Sequence, residues 1–270
     1  MRNKLLMLFL FCSCVFTGIV AANTAEVDYR RYFDGFRGAF VLYDRNHDTY
    51  LIYNKVQAEK RLSPESTFKI FNALAGLQSG IVKDETTEFR WDGAKYDVAS
   101  WNQNQTLATA MSASVIWCFQ NIARQVGPEP MKAYLQAANY GNGDVSGGID
   151  KFWLDTTLKI SALEQVEFLD RFLRYDLPFD REGIDIVKKV LILEQKNDRI
   201  LSGKTGSSGG GWLSHVDAAN HAGKLAWFVG YLTTPEDTYL FATNIEGVTG
   251  ASGVKAKEIT KAILARLDLF

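Results

Sequence analysis

The spacing of apolar positions changes twice along the chain, and each change predicts a different kind of element. Residues 38–43 (Gly-Ala-Phe-Val-Leu-Tyr) and 49–53 (Thr-Tyr-Leu-Ile-Tyr) are short runs rich in β-branched and aromatic side chains. They flank the polar turn Asp44-Arg45-Asn46-His47-Asp48, a pattern that predicts a β-hairpin. From Ser66 to Glu194 the apolar residues recur every three or four positions, which predicts helices over 122–138, 161–174 and 184–194 among others. Strand character returns over 200–206, 225–233 and 239–244, and an amphipathic helix closes the chain from 253 to 267. Strands from both chain ends can then form one antiparallel sheet in an α/β (α+β) fold. Terminal helices would cover one face and a mainly helical region the other. The expected division is a sheet region of 23–62 plus 200–270 and a helical region of 63–199, with the site along their seam. No repeat or low-complexity linker interrupts it, and about 248 residues suit one large domain or two interleaved ones.

The first 22 residues stand outside this pattern. Met1-Arg2-Asn3-Lys4 is basic, residues 5–20 are apolar but short for a membrane span, and Ala21-Ala22 are small. That order predicts a signal peptide spanning 1–22 and an exported protein, periplasmic or extracellular, with no stable membrane span once the leader is cleaved. Loss of Arg2 and Lys4 leaves 28 basic against 31 acidic residues, a formal charge of −3, which argues against nucleic acid as a partner. Cys12 and Cys14 lie in the leader, so the mature chain keeps only Cys118 and no intrachain disulfide. The residues before Cys14 fit a lipidation signal poorly. Cys118 reads as a buried apolar thiol, although it falls one turn after Ser114. His47, His215 and His221 lack zinc-ligand spacing, so no metal is expected. His215 and Trp212, in the glycine-rich stretch 208–223, are either surface residues or substrate contacts.

Candidate chemistry starts at Pro64-Glu65-Ser66-Thr67-Phe68-Lys69. A serine hydroxyl needs an adjacent base to act as a nucleophile, and positions i and i+3 share a helix face. The helix continues as Ile70-Phe71-Asn72-Ala73-Leu74-Ala75, so Lys69 enters an apolar environment, where its pKa falls and the amine can act as a base. Ser-x-x-Lys recurs by chance, and alone it reads equally as a helix cap before a snorkelling lysine. Further along stand Ser114-Val115-Ile116, read as part of a helical stretch running to Val126; Tyr140-Gly141-Asn142; Gly147-Gly148-Ile149-Asp150 leading to Trp153; and Lys204-Thr205-Gly206-Ser207. That order of Ser-x-x-Lys before Lys-Thr-Gly is the one penicillin-recognising serine enzymes use.

The ordered set resembles the class D, oxacillinase-type, serine β-lactamases, from about Gly38 to the C-terminus. Ser66-Thr67-Phe68-Lys69, Tyr140-Gly141-Asn142, Trp153 and Lys204-Thr205-Gly206 match the family motifs. Two features depart from it: the usual Ser-x-Val reads Ser114-Val115-Ile116, and no arginine lies between Arg199 and Arg266 to bind a substrate carboxylate. The resemblance implies the β-lactamase and penicillin-binding-protein transpeptidase fold, in one catalytic domain over 23–270, and a β-lactam as the small-molecule partner. It implies catalytic roles for Ser66, Lys69, Ser114 and Lys204, and an oxyanion hole from the backbone N–H groups of Ser66 and Ser207. Lys69 would be N6-carboxylysine, with carbon dioxide or bicarbonate as its source and no other cofactor. Trp153 would donate its indole N–H to that carbamate; Phe68, Ile116 and Leu154 would wall it, or simply pack the core. Thr205, Gly206, Ser207, Tyr140 and Asn142 would bind substrate. Lys255 and Lys257 read either as carboxylate ligands or as solvated residues of the last helix.

Two rivals share the fold. β-Lactam sensors acylate without efficient turnover, but carry membrane spans and a signalling region for which this sequence shows no counterpart. Penicillin-binding transpeptidases share Ser-x-x-Lys and Lys-Thr-Gly, but are not expected to carry the Tyr-Gly-Asn and Trp153 pattern.

Overall fold

The computed structural model describes residues 24–26, 29–209 and 225–270. The expected leader with Cys12 and Cys14, and Trp212, His215 and His221, lie outside them. The expected hairpin forms from strands β2 (Arg37–Asp44) and β3 (Thr49–Tyr53), paired antiparallel from Phe40 with Tyr53 to Asp44 with Thr49. A short strand, β1 (Thr24–Glu26), adds parallel to β3 at the sheet edge. The C-terminal half contributes β6 (Ile192–Lys196), β7 (Arg199–Ser207), β8 (Leu225–Thr233) and β9 (Thr238–Glu246), and the strand order is β1-β3-β2-β9-β8-β7-β6. Apart from β1 the sheet is antiparallel. A separate two-stranded ladder joins β4 (Glu88–Phe89) to β5 (Gln105–Thr106).

Period-2 alternation divides the sheet's side chains between two cores. Ala39, Val41 and Tyr43 of β2, with Trp227 and Val229 of β8, join the core beneath the central helices. Phe40, Leu42, Phe228 and Phe241 point the other way, against Phe33 and the C-terminal helix. Strand β8 is covered on both faces, which is why it reads as an almost unbroken apolar run.

The helices, in chain order, are α1 (Lys55–Glu59), α2 (Lys69–Gln78), α3 (Leu107–Ser112), α4 (Ile116–Val126), α5 (Pro128–Ala137), α6 (Ala162–Leu173), α7 (Arg181–Val190) and α8 (Gly253–Arg266). Helix α6 starts where its sequence requires, because Ser161 and Glu164 close a capping box: Glu164 N donates to Ser161 Oγ (3.2 Å) and Ser161 N to Glu164 Oε2 (2.8 Å).

Three expectations need correction. The helix over 122–138 is two helices, since Gly127 takes φ 81° and Pro128, lacking an N–H, begins α5 instead of extending α4. The helix over 184–194 ends at Val190, and residues 192–196 leave the helical region to become an edge strand, pairing with β7 through a turn in which Asn197 has φ 52°. Here strand pairing outweighed helical periodicity. Ser114 is not helical either: it sits between α3 and α4 with φ 54°.

Candidate active site

The chain from Pro64 enters a 3-10 turn, Glu65–Phe68, that runs straight into α2 with Lys69 as its first residue. A 3-10 turn eclipses side chains at i and i+3, so Ser66 and Lys69 stand over one another. Lys69 Nζ lies 2.7 Å from Ser66 Oγ and donates to Ser114 Oγ and to the Ser114 carbonyl, both at 2.9 Å. The unusual backbone of Ser114 allows this double contact, for it turns the carbonyl and hydroxyl of one residue toward the same amine.

Lys69 is completely buried, and that desolvation, followed by the charge of nearby Lys204, holds its pKa well below the ordinary lysine value. A neutral amine has two N–H groups and one lone pair. With the two oxygens of Ser114 taking the N–H groups, the lone pair is left for the Ser66 hydroxyl proton. This is the arrangement of a serine nucleophile with its base.

Strand β7 forms the opposite wall. Gly203 N donates to Leu191 O on the β6 side, whereas Ser208 N donates to Leu225 O on the β8 side (2.9 and 2.8 Å). Alternate amides of a strand point to opposite edges, so the N–H groups of Thr205 and Ser207 share the edge of Gly203, and β6 pairs only as far as Ser202. Gly206 lets this edge press against the nucleophile: a Cβ there would lie 3.1 Å from Pro64 O and 3.2 Å from Ser66 N. The Ser207 hydroxyl accepts from Gly253 N at the start of α8 (2.8 Å), a contact that fixes its oxygen and still leaves the O–H to donate. Lys204 is buried, its amine donates to Thr205 O (3.1 Å), and desolvation brings its pKa down to about 7.

Ser66, Lys69, Ser114, Thr205, Gly206 and Ser207 thus line one cleft of about 160 Å³, walled by Trp101, Ile116 and Leu154. Beyond Lys204 and Thr205 a wider groove of about 430 Å³ runs between Met111, Ile192, Val254 and Lys257. Trp101 carries no local signal in the sequence. It reaches the cleft through non-local docking, its indole donating to Ala113 O and its carbonyl accepting from the Trp117 indole (both 3.0 Å).

Trp153 is fully buried and stacks on Phe68 (5.3 Å between ring centroids), and its Nε1 has no hydrogen-bond acceptor among the described residues. Phe68 sits in the aromatic core with Phe71 and Phe152 rather than on the cleft surface. Tyr140 and Asn142, expected to bind substrate, do not reach the cleft. Tyr140 is buried against Phe71 and Phe168, and burial raises its phenol pKa. Asn142 Nδ2 donates to Thr157 O (2.8 Å) and its Oδ1 accepts from Lys159 N (2.9 Å), so this motif braces the loop that carries Trp153. The Cys118 thiol is buried, and desolvation pushes its pKa up, which leaves it unreactive. Lys255 pairs with Glu258 (3.4 Å) on the solvent face, whereas Lys257 lines the wider groove and pairs with Glu194 (3.1 Å). His47 is far from the site, at the β2–β3 turn, its Nδ1 2.9 Å from Asp44 Oδ1.

Comparison with known proteins agrees with this geometry. The penicillin binding protein transpeptidase domain matches residues 38–265. The protein named "Probable beta-lactamase YbxI" of Bacillus subtilis is 42% identical over 247 residues, covering 92% of this chain and 87% of that protein. The regulatory protein BlaR1 of Bacillus licheniformis is 40% identical over 250 residues, which span 92% of this chain but 40% of that protein. Among solved structures, a class D β-lactamase from Bacillus subtilis superposes with a TM-score of 0.82 at 42% identity, covering 90% of this chain and 97% of that one. The C-terminal domain of the Bacillus licheniformis BlaR penicillin-receptor gives 0.85 at 39%, covering 92% and 98%. A serine held against a desolvated lysine, facing a Lys-Thr-Gly strand in a transpeptidase domain, carries these likenesses, and the chain belongs to the class D serine β-lactamases.

Proposed function

We propose that the protein is exported and hydrolyses the β-lactam ring of penicillin-type antibiotics through an acyl-enzyme on Ser66, with a carboxylated Lys69 as general base. The observation that carries the reading is the Lys69 amine, buried, its pKa pulled well down by desolvation, and in contact with both Ser66 and Ser114. Ser66 loses its proton to the base as Oγ attacks the lactam carbonyl, and the developing oxyanion is held by the N–H groups of Ser66 and Ser207. The C–N bond breaks, and the ring nitrogen takes a proton through Ser114, polarised by Lys204. Water, deprotonated by the same base, then attacks the ester, and Ser66 leaves with its proton restored.

A carboxylated Lys69 would supply a base able to serve both halves of this cycle. The residues fit that group on two counts. A neutral amine is the form that reacts with carbon dioxide, and the buried Trp153 N–H needs an acceptor. Without the usual arginine, Lys204, Thr205 and Ser207 would hold the substrate carboxylate, with Lys257 at the end of the wider groove.

A second reading, a β-lactam sensor domain that acylates without efficient turnover, is favoured by the likeness to the BlaR receptor domain. Steady-state assay with a chromogenic β-lactam separates the two. Hydrolysis of many equivalents of drug is expected, and product release that stops after one equivalent makes the chain a sensor. Because a carbamate decomposes on protonation, activity should fall at acidic pH and recover with bicarbonate. Labelled bicarbonate should give a carbamate carbon signal that Lys69→Ala lacks. Full activity with no such signal and no bicarbonate dependence would reduce Lys69 to a plain amine.

A further inference from the structure

Glu65, the residue before the nucleophile, plays no part in the reaction sequence above, yet it is almost fully buried and holds a left-handed backbone (φ 51°). That conformation is costly for a residue with a long side chain and persists only where neighbours impose it. Its main-chain N–H donates to Trp153 O (3.1 Å), and its Oε1 accepts from the N–H of Asp155 (3.0 Å). Ser63 doubles both links: its Oγ donates to Trp153 O (3.0 Å) and accepts from Asp155 N (2.8 Å). Asp155 is itself left-handed (φ 53°). On the other side, the Ser63 carbonyl accepts from the Trp227 indole on β8 (2.8 Å), and Gly206 approaches so closely that a Cβ there would lie 3.2 Å from Glu65 Cβ. The nucleophile turn, the Trp153 loop and the sheet therefore meet at residues 63–65.

The setting favours the neutral form of the carboxyl. Desolvation, then the charge of Asp155, raises its pKa well above the ordinary glutamate value, and burial likewise drives nearby Lys69 toward neutrality. A neutral acid can accept from the Asp155 N–H and donate to the Asp155 carboxylate together, whereas a carboxylate here would face a like charge without solvent.

We infer that Glu65 is a positioning residue: with Ser63 it latches the Ser66 turn to the loop carrying Trp153, so that nucleophile and indole keep one relative placement. This rests on the reading of Trp153 as the partner of a carboxylated Lys69. Loss of the latch lets the indole drift from the base, which damages deacylation more than acylation, since a displacement of about 1 Å in a catalytic site costs up to a hundredfold.

The test compares Glu65→Ala and Glu65→Gln in the full chain. Glutamine keeps a neutral acceptor and donor. Glu65→Ala should lower kcat about tenfold or more with a smaller loss in kcat/KM, accumulate acyl-enzyme by mass spectrometry and need roughly tenfold more bicarbonate for half-maximal activity. It should also exchange the amides of residues 153–156 faster. Glu65→Gln should stay close to the wild type in all four readouts. Ser63→Ala, which leaves Glu65 in place, should shift them in the same direction by less, and it serves as the test should Glu65→Ala not fold. Unchanged amide exchange, or faster exchange with unchanged kinetics, overturns the latch. So does Glu65→Gln failing as badly as Glu65→Ala, for then an ionised carboxylate is the requirement. A wild type that itself shows neither turnover nor bicarbonate dependence instead removes the proposed function, and the latch is then judged on amide exchange and the rate of Ser66 acylation.

Discussion

The two walls of the cleft are built by opposite means. The wall carrying Ser66 and Lys69 is assembled from three turns, and each contains a non-glycine residue with positive φ: Glu65 (51°), Ser114 (54°) and Asp155 (53°). The opposite wall is a regular strand, β7, whose amides reach the cleft by ordinary alternation. The difference follows from what each must present. The strand has only to present an outward main-chain N–H, that of Ser207, which an edge left unpaired by β6 supplies without strain. A single buried amine needs a serine hydroxyl, a second hydroxyl and a carbonyl aimed at one point from segments far apart in sequence, and only bent backbone achieves that. Positive φ also occurs at ordinary turns such as Asn197, but these three residues converge on one buried lysine at the start of α2.

The turn wall is the more sensitive of the two. Ser66→Ala should abolish the covalent adduct formed with a slowly hydrolysed β-lactam, and a drug adduct that persists in the variant, found by peptide mass spectrometry, would place the nucleophile elsewhere. Ser114→Ala removes one of the oxygens on the Lys69 amine and should slow acyl-enzyme formation about a hundredfold. Unchanged pre-steady-state acylation would take Ser114 out of the reaction and leave its backbone unexplained. On the strand side, Gly206→Ala places a methyl group against Pro64 O and Ser66 N, so the walls must part by a few tenths of an ångström. Acylation should slow about tenfold with a stability cost of about 1 kcal/mol, and wild-type kinetics would mean that β7 is not pressed against the nucleophile.

The two lysines sharpen the comparison further through pH. In the folded chain Lys204 releases its proton near pH 7, whereas unfolded it keeps the proton until about pH 10.5. Between those values the unfolded state binds more protons, so stability rises with pH through this window. Urea unfolding should show the wild type gaining about 2 kcal/mol relative to Lys204→Met from pH 7.5 to 9; parallel curves would mean that Lys204 is solvated. The smallest effect is expected outside both walls: Lys255→Ala, which removes a solvent-face pair with Glu258, should change stability by less than about 0.5 kcal/mol and leave kcat/KM for an anionic β-lactam unaltered. A rise in KM would instead make Lys255 a carboxylate ligand.

Much of the architecture and part of the site could be read before any tertiary contact was known, and the boundary between the two is physical. The hairpin of β2 and β3, strands β7 to β9, helix α6 and the pairing of Ser66 with Lys69 all rest on local rules: alternation, turn residues and helical spacing. What local rules leave open is competition between elements. Residues 192–196 carry helical spacing, yet β7 had an unpaired edge for them to fill. Residues 122–138 carry one periodicity, yet Gly127 and Pro128 divide it.

Residue order alone makes the chemistry available: a serine one turn before a lysine in an apolar helix, and a Lys-Thr-Gly strand downstream. Which of these groups meet is a matter of the tertiary structure. It moved Tyr140 and Asn142 from the cleft to the support of the Trp153 loop, brought Trp101 to the cleft wall, and bent Ser114 toward Lys69. It also gave Glu65, silent in the sequence, a place between the nucleophile and the loop beside it. The reason is burial. Desolvation shifts the pKa of Lys69 down and that of Glu65 up, and it arises from residues distant in the chain that close over them, which no spacing within a short motif encodes.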